Sequence, residues 1–277
     1  MRRSRLGLAA LMVLAGLFVY YRSKQVNPVT GEKQAIALSP EQEVALGLQA
    51  APEMAAQFGG ADADSELQNL VAEVGRRVVS RSRASQTPYE FHFTLLADPD
   101  TVNAFALPGG PIFVTRGLLR LLDSEAELAG VLGHETGHVA ARHASEQLAK
   151  THLAQVLVGA AGVAASDSGH GADAAQVAGV VATMAALRYG RQDELQADSL
   201  GVDFMSDAGY DPRGLIRLMS ILERAGGGSR QPEFLSTHPD PGNRAERIRA
   251  EIARKYPSGV PPNLTEGRKL GPDRPSP

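Results

Sequence analysis

The chain is 277 residues long, enough to bury a sizeable core in one domain with flanking segments, and its 28 Lys and Arg against 31 Asp and Glu give a formal charge of −3. That balance offers no basic face to a phosphate backbone, so nucleic acid is not expected as a partner. Cysteine is absent, which excludes disulfides, thiolate nucleophiles and Cys-ligated metal; any metal must sit on His, Asp or Glu.

Arg2, Arg3 and Arg5 precede an uncharged run from Leu6 to Tyr21, with Arg22 and Lys24 after it, the pattern of an export signal. Its sixteen residues rise about 24 Å as a helix, slightly short of a ~30 Å hydrocarbon core, so length fits both a cleaved signal and a retained anchor. Bulky Tyr20 and Tyr21 stand where cleavage would want small residues, which favours an anchor. Residues 1–22 are read as signal peptide or signal anchor, with the body outside the cytoplasm.

Residues 23–60 form a polar lead-in containing one helix that starts at Ser39 and Pro40. "SELQNLVAEVGRRVVSRS" places Leu67, Leu70, Val71, Val74 and Val78 at helical spacing. "YEFHFTLLAD" alternates Tyr89, Phe91, Phe93 and Leu95 against Glu90, His92 and Thr94, a strand with one buried face and a solvated His92. Two short strands follow, Ala104 to Leu107 and Ile112 to Thr115, joined by a Pro-Gly-Gly-Pro turn. An ordinary hairpin is the plain expectation; an edge strand open to an extended peptide is the functional one.

Next comes "VLGHETGHVAARH", on a helix begun by Ser124 and Glu127. Residues four apart on a helix differ by about 40° and ~6 Å of rise, so His134 and His138 can aim two imidazoles at one ion. Glu135 is turned about 100° from His134, beside the ion, where a base for an activated water must stand. It also lies on the apolar stripe, and a carboxylate facing a core needs a partner or a role. His143 would lie about 180° from His134 and 140° from His138, facing away while the helix continues. It reads as a C-terminal cap or dipole partner.

The stretches Leu153 to Ala165 and Val177 to Leu187 are rich in Ala, Gly and Val and too short to cross a bilayer alone, so buried core helices are expected, joined by a Gly-rich loop with a solvated His170. Partial membrane insertion is the alternative. A two-histidine site needs a third protein ligand. Glu194 and Asp198 share one face of the next helix, so one carboxylate could bind the ion while the other fixes an imidazole's tautomer; Glu194 is the leading choice. That helix ends at Gly209, Pro212 opens another, and "NRAERIRAEIARKY" forms a last amphipathic one. From Pro257 the chain is Pro-rich without apolar periodicity, so 257–277 is expected to be a disordered tail around a domain of residues 61–256.

"GHETGHVAARH", "ELQAD", "NAFALPGG" and "STHPDPGNRAERI", in this order over Glu43 to Tyr256, resemble peptidase family M48, which includes the CAAX prenyl proteases, HtpX and the Oma-type proteins. The single N-terminal hydrophobic run resembles the bacterial periplasmic quality-control members, without the lipid-accepting cysteine many of those carry. The resemblance implies an α+β, mostly helical, zincin-like metallopeptidase with a small β-sheet beside the HExxH helix. It implies zinc on His134, His138 and Glu194, Glu135 as general base and Asp198 behind the ligands. It further implies that the backbone of Asn103, Ala104 and Phe105 receives substrate, and that His238 and Arg244 approach the metal as catalytic donors or as part of a gating loop. The expected function is a zinc-dependent endopeptidase in the periplasm, anchored to the inner membrane, acting on misfolded or unassembled envelope proteins. The rival expectation is a chaperone-like binding module whose zinc site is occluded, His238 being the occluding ligand.

Overall fold

Why the sheet forms is local: β-branched and aromatic residues alternate around a turn that only glycine can make, Gly109 and Gly110 having φ of +79° and +127°. A methyl on Gly110 would also lie 2.2 Å from the Glu90 carbonyl. The computed structural model describes residues 2–165, 189–226, 232–238 and 242–270. Strands β3 (His92–Leu96), β4 (Ala104–Ala106) and β5 (Pro111–Thr115) make a sheet of order β3-β5-β4, β3 parallel and β4 antiparallel to β5. A separate hairpin of β1 (Lys24–Val26) and β2 (Lys33–Ala35) precedes it.

The two sheet edges differ. Gln68 bonds both main-chain groups of Leu95, and Asp62 N–H donates to the same carbonyl, so the outer side of β3 is closed. On β4, Asn103 C=O and Leu107 N–H bond to Thr115 and Pro111 of the β5 strand. By the antiparallel alternation, Ala104 and Ala106 direct their main-chain groups away from β5, leaving β4 the open edge.

Helices build the rest: α1 (Arg2–Arg22), α2 (Pro40–Gln57), α3 (Ser65–Arg81), α4 (Arg116–Leu119), α5 (Glu125–Ala140), α6 (His143–Ala165), α7 (Arg191–Asp207), α8 (Arg213–Gly226), α9 (Glu233–Thr237) and α10 (Arg244–Lys255). Ser39 and Gln42 close a capping box on α2, and α3 buries the stripe its spacing predicts. Every residue of α5 is buried, so this helix is the axis of the domain, with α3, α7 and α8 packed around it. The chain is thus a mostly helical α+β fold with a small sheet beside the central helix.

Two expectations fail. Residues 257–270 are not a disordered tail: Arg268 and Glu266 carbonyls accept from the N–H groups of Glu125 and Ala126, and Leu270 N–H donates to Asp123. These carbonyls satisfy orphan donors in the first turn of α5, an ordering force that leaves no apolar periodicity to read. Residues 271–277 lie outside the described residues. Nor is α6 a core helix. Its far half lies along α1, with Leu157 and Val158 39% and 73% exposed. The stretch Val177 to Leu187 and the loop with His170 lie outside the described residues.

Deleting residues 264–277 removes two carbonyl acceptors from α5 and the buried side chain of Leu270. The unfolding free energy of the full chain in detergent is expected to fall by on the order of 3 kcal/mol. Urea titration followed by circular dichroism measures it; an unmoved midpoint would mean that the strap does not stabilise α5.

Candidate metal centre

Glycine decides how close α5 and α7 come. Methyl groups on Gly133 and Gly137 would lie 3.3 Å from the Gly201 carbonyl and 3.1 Å from the Ala197 carbonyl, and one on Gly201 would lie 3.2 Å from the His134 nitrogen. Such backbone-to-backbone contact needs small residues on both helices, and it brings the acidic face of α7 against the histidine face of α5.

His134, His138, Glu194 and His238 each present a ligating atom, all four within 4.8 Å of one another and all buried. His134 Nε2 and His138 Nε2 are 3.1 Å apart, and each lies 3.4 Å from an oxygen of Glu194. Atoms held tetrahedrally at 2.0–2.1 Å from one divalent ion would be ~3.3 Å apart, so this donor set fits such an ion. His238 Nδ1, 3.0 Å from Glu194 Oε1 and 3.4 Å from His134 Nε2, takes the fourth corner. His238 therefore stands within the cluster itself.

Glu135 is fully buried and neither carboxylate oxygen accepts a hydrogen bond; His238 Nε2 stands 3.5 Å from Oε1. Burial pushes its pKa up. A buried carboxylate without a hydrogen bond costs stability, and Glu135 lies beside the histidine and glutamate cluster rather than within it.

The shell behind the ligands fixes their tautomers. His134 Nδ1 lies 2.9 Å from Asp198 Oδ1, so this nitrogen donates and Nε2 keeps its lone pair for the cluster. Arg244 clasps Asp198 with Nε and Nη2 at 2.8 and 2.7 Å, and its Nη1 is 3.1 Å from Glu194 Oε2. Arg244, expected to approach the metal as a catalytic donor or within a gating loop, is buried with its guanidinium bonded to Asp198 and 3.1 Å from Glu194 Oε2.

His143 is a correction. The helix does not continue past Ala140: Arg142 adopts φ +59°, and α6 starts in a new direction at His143. That left-handed residue is held by Glu43, which accepts from its Nε at 2.9 Å, and by the Leu38 carbonyl at 2.7 Å. The turn carries His143 back under the site, its Nδ1 2.9 Å from His138 Nδ1 and its Nε2 2.9 Å from Gln196 Oε1. One assignment satisfies the chain: His138 donates to His143, and His143 donates to Gln196. His138 Nε2 then keeps its lone pair. Sequence reasoning also missed Tyr189, whose ring stacks on His138 at 3.9 Å between centroids, and Glu43, buried between Arg142 and the Tyr89 hydroxyl. No motif marks these residues; the turn that aligns them is tertiary.

Electrostatics sort the cluster. Burial disfavours charge on His134, but Asp198 and Glu194 outweigh it and hold its pKa up to about 9. On His138 burial wins and the pKa falls well below its ordinary value. Two imidazole nitrogens 3.1 Å apart cannot both be protonated, so one ring takes the proton while the other stays neutral. Burial alone would raise Glu194 and Asp198; charge and hydrogen bonds from His238, His134 and His138 lower the first, and Arg244 lowers the second.

Beside the cluster runs a cleft of about 60 Å³ between α2, β4, Tyr189 and α9, lined by Met54, Phe58, Phe105 and Leu107 among others. Asn103 and Phe105 line it and Ala104 lies between them; Asn103 Oδ1 is buried there without a hydrogen bond. Phe234 N–H donates to the Val102 carbonyl and Tyr189 N–H to Thr237, so α9 is tied to the start of the open edge and to the residue stacked on His138.

Residues 65–252 match peptidase family M48. The chain is 30% identical over 218 residues to the beta-barrel assembly-enhancing protease of Escherichia coli, covering 75% of this chain and 44% of that protein. It is 30% identical over 240 residues to the mitochondrial metalloendopeptidase OMA1 of Schizosaccharomyces pombe, 86% of this chain and 69% of that one. With the metalloprotease YcaL of Escherichia coli it shares 28% over 227 residues, 79% of this chain and 84% of that protein. It thus spans less than half the length of the first of these relatives. A buried histidine and glutamate cluster built around the HExxH helix, within a family match that covers residues 65–252, makes this chain a member of peptidase family M48.

Proposed function

We propose that the protein is a zinc-dependent endopeptidase that cuts extended segments of misfolded or unassembled cell-envelope proteins. The carrying observation is the convergence of His134, His138 and Glu194 beside a buried, unbonded Glu135. Zinc in that donor set would supply Lewis acidity, acidifying a water and polarising a peptide carbonyl. His134, His138 and Glu194 hold the ion. Glu135, its proton affinity raised by burial, takes the proton from the attacking water and delivers it to the leaving amine. Asp198 and His143 orient the two imidazoles, and Arg244 acts through Asp198 and Glu194 as a positioning residue.

The substrate adds as a strand along β4, its main chain meeting the free groups of Ala104 and Ala106, with the unbonded Asn103 Oδ1 as a further acceptor. Side chains entering the cleft would meet apolar walls. The names of the relatives, a protease of β-barrel assembly and two metallopeptidases, support the substrate class and reaction. The catalytic body works in the periplasm, and α1, with a 19-residue span of mean hydropathy 1.6 and little burial, is retained as its inner-membrane anchor.

A second reading draws on His238. With its Nδ1 at the fourth corner and α9 tied to Val102, one segment fills both the open coordination place and the approach to β4. A permanently closed site would make the protein a chaperone-like binder. We favour a removable block, since α9 is five residues long and held by few main-chain bonds. Glu135→Gln is expected to abolish cleavage of casein by the zinc-loaded full chain while retaining zinc, and His238→Ala to raise it several-fold. Equal cleavage by the wild type and Glu135→Gln, or none by the wild type and His238→Ala alike, would leave the binding module.

The ligand-orienting shell gives a second test. Asp198→Asn and His143→Ala should each weaken zinc binding by about 10- to 100-fold in competition with a chromogenic chelator. Undiminished affinity in both would mean that the imidazoles hold their orientation without these partners.

A further inference from the structure

We infer that the far half of α6 is a second membrane-inserted helix, running antiparallel to α1 through the hydrocarbon layer, with lipid acyl chains covering the face that protein leaves bare. The inference rests on reading α1 as a retained anchor.

The register between the two helices is visible in their contacts. A methyl on Gly16 would lie 2.8 Å from Val156 Cγ1 and 3.7 Å from Leu153 Cδ1, while one on Gly159 would lie 3.8 Å from Met12 Cε. Going down α1 therefore means going up α6, residue for residue. Extending that register sets Lys150 within a turn of the level of Arg22, and Ala165 near the level of Leu6. The charge boundaries of the two helices thus coincide. Above the common level stand Arg22 and Lys24 on one chain segment and Glu146, paired with Lys150 at 3.0 Å, on the other. Below it, α1 is uncharged from Leu6 to Tyr21 and α6 from Leu153 to Ala165. Two independent helices in water have no reason to match in this way; two helices entering one apolar layer from the same face must.

Exposure agrees. Phe18 on α1 and Val158 on α6 are 62% and 73% exposed, and only the seam between the helices is covered, as at Ala9 and Ala160. Leaving an uncharged helix half bare in water would be costly, whereas in lipid it needs only close packing through small residues, which Gly16 and Gly159 provide. The helix keeps its main-chain bonds internal, as a lipid environment requires. At its other end His143 bonds His138, so α6 is a continuous rod from membrane to metal ligand. Seven residues separate His143 from Lys150, which puts the site on the order of 10 Å above the membrane boundary. The cleft would then receive chain segments emerging close to the bilayer.

The absence of cysteine allows single-cysteine variants of the full chain, Phe18→Cys, Lys150→Cys and Val158→Cys, each carrying an environment-sensitive fluorophore in phosphatidylethanolamine and phosphatidylglycerol vesicles. Expected is strong quenching of positions 18 and 158 by acyl-chain nitroxide lipids with several-fold protection from iodide, and the reverse at 150. Iodide access at 158 equal to that at 150, with 18 still lipid-quenched, would overturn the inference and spare the anchor. Iodide access at 18 as well would remove both. Protection of 158 from both quenchers, with disulfide cross-linking between copies of the unlabelled Val158→Cys, would assign the face to a second copy and also overturn the proposal.

Discussion

The whole site depends on two helices touching through their backbones. Gly133 and Gly137 on α5 meet Ala197 and Gly201 on α7 without side chains between them, and only at that distance can Glu194 reach the Nε2 atoms of His134 and His138. Larger residues at these four places would keep the histidines on their helix and the carboxylates on theirs, and leave no common point for an ion. Spacing within one helix brings the two imidazoles together; spacing between helices adds the carboxylate of Glu194.

Such proximity carries an electrostatic cost that the surrounding shell offsets. Removing Glu135, Glu194 and Asp198 from water is unfavourable for each. Asp198 is compensated by the two-pronged Arg244 and by His134, and Glu194 by three imidazoles and the same arginine. Glu135 is left as the one carboxylate of this group without a hydrogen bond. A buried carboxylate that accepts no hydrogen bond keeps its affinity for a proton, as its raised pKa records.

The segment around His238 and the long helix α6 give the site its two boundaries. α9 is bonded to Val102 at the start of the open edge strand, and His238, just past its end, adds an imidazole to the cluster. α6 leaves from His143, bonded to His138, and its far half packs on α1, so one helix joins the histidine cluster to the N-terminal apolar helix. The strap of residues 264–270 closes the opposite end of α5 by filling its first-turn donors. The central helix is thereby held at both ends by segments far from it in sequence.

Much of this is written in the chain itself. The periods of α3, the alternation of β3, the Pro-Gly-Gly-Pro turn and the capping of α2 are local matters of steric fit and hydrogen bonding, and the structure places them as their residues predict. So are the mutual phases of His134, His138 and Glu135, because a helix fixes them whatever surrounds it. Other features are decided by partners that no local pattern announces. Arg142 takes a left-handed conformation because Glu43 and Leu38 wait for its guanidinium, and that single turn converts His143 from a residue facing away into the support of His138. The ordering of 264–270 comes from unpaired helix donors that no local pattern announces. Local sequence determines periodicity and phase, which depend on neighbouring residues alone; the meeting of distant polar groups is settled only by packing, because burial makes each of them require a partner and the fold alone determines which ones are within reach.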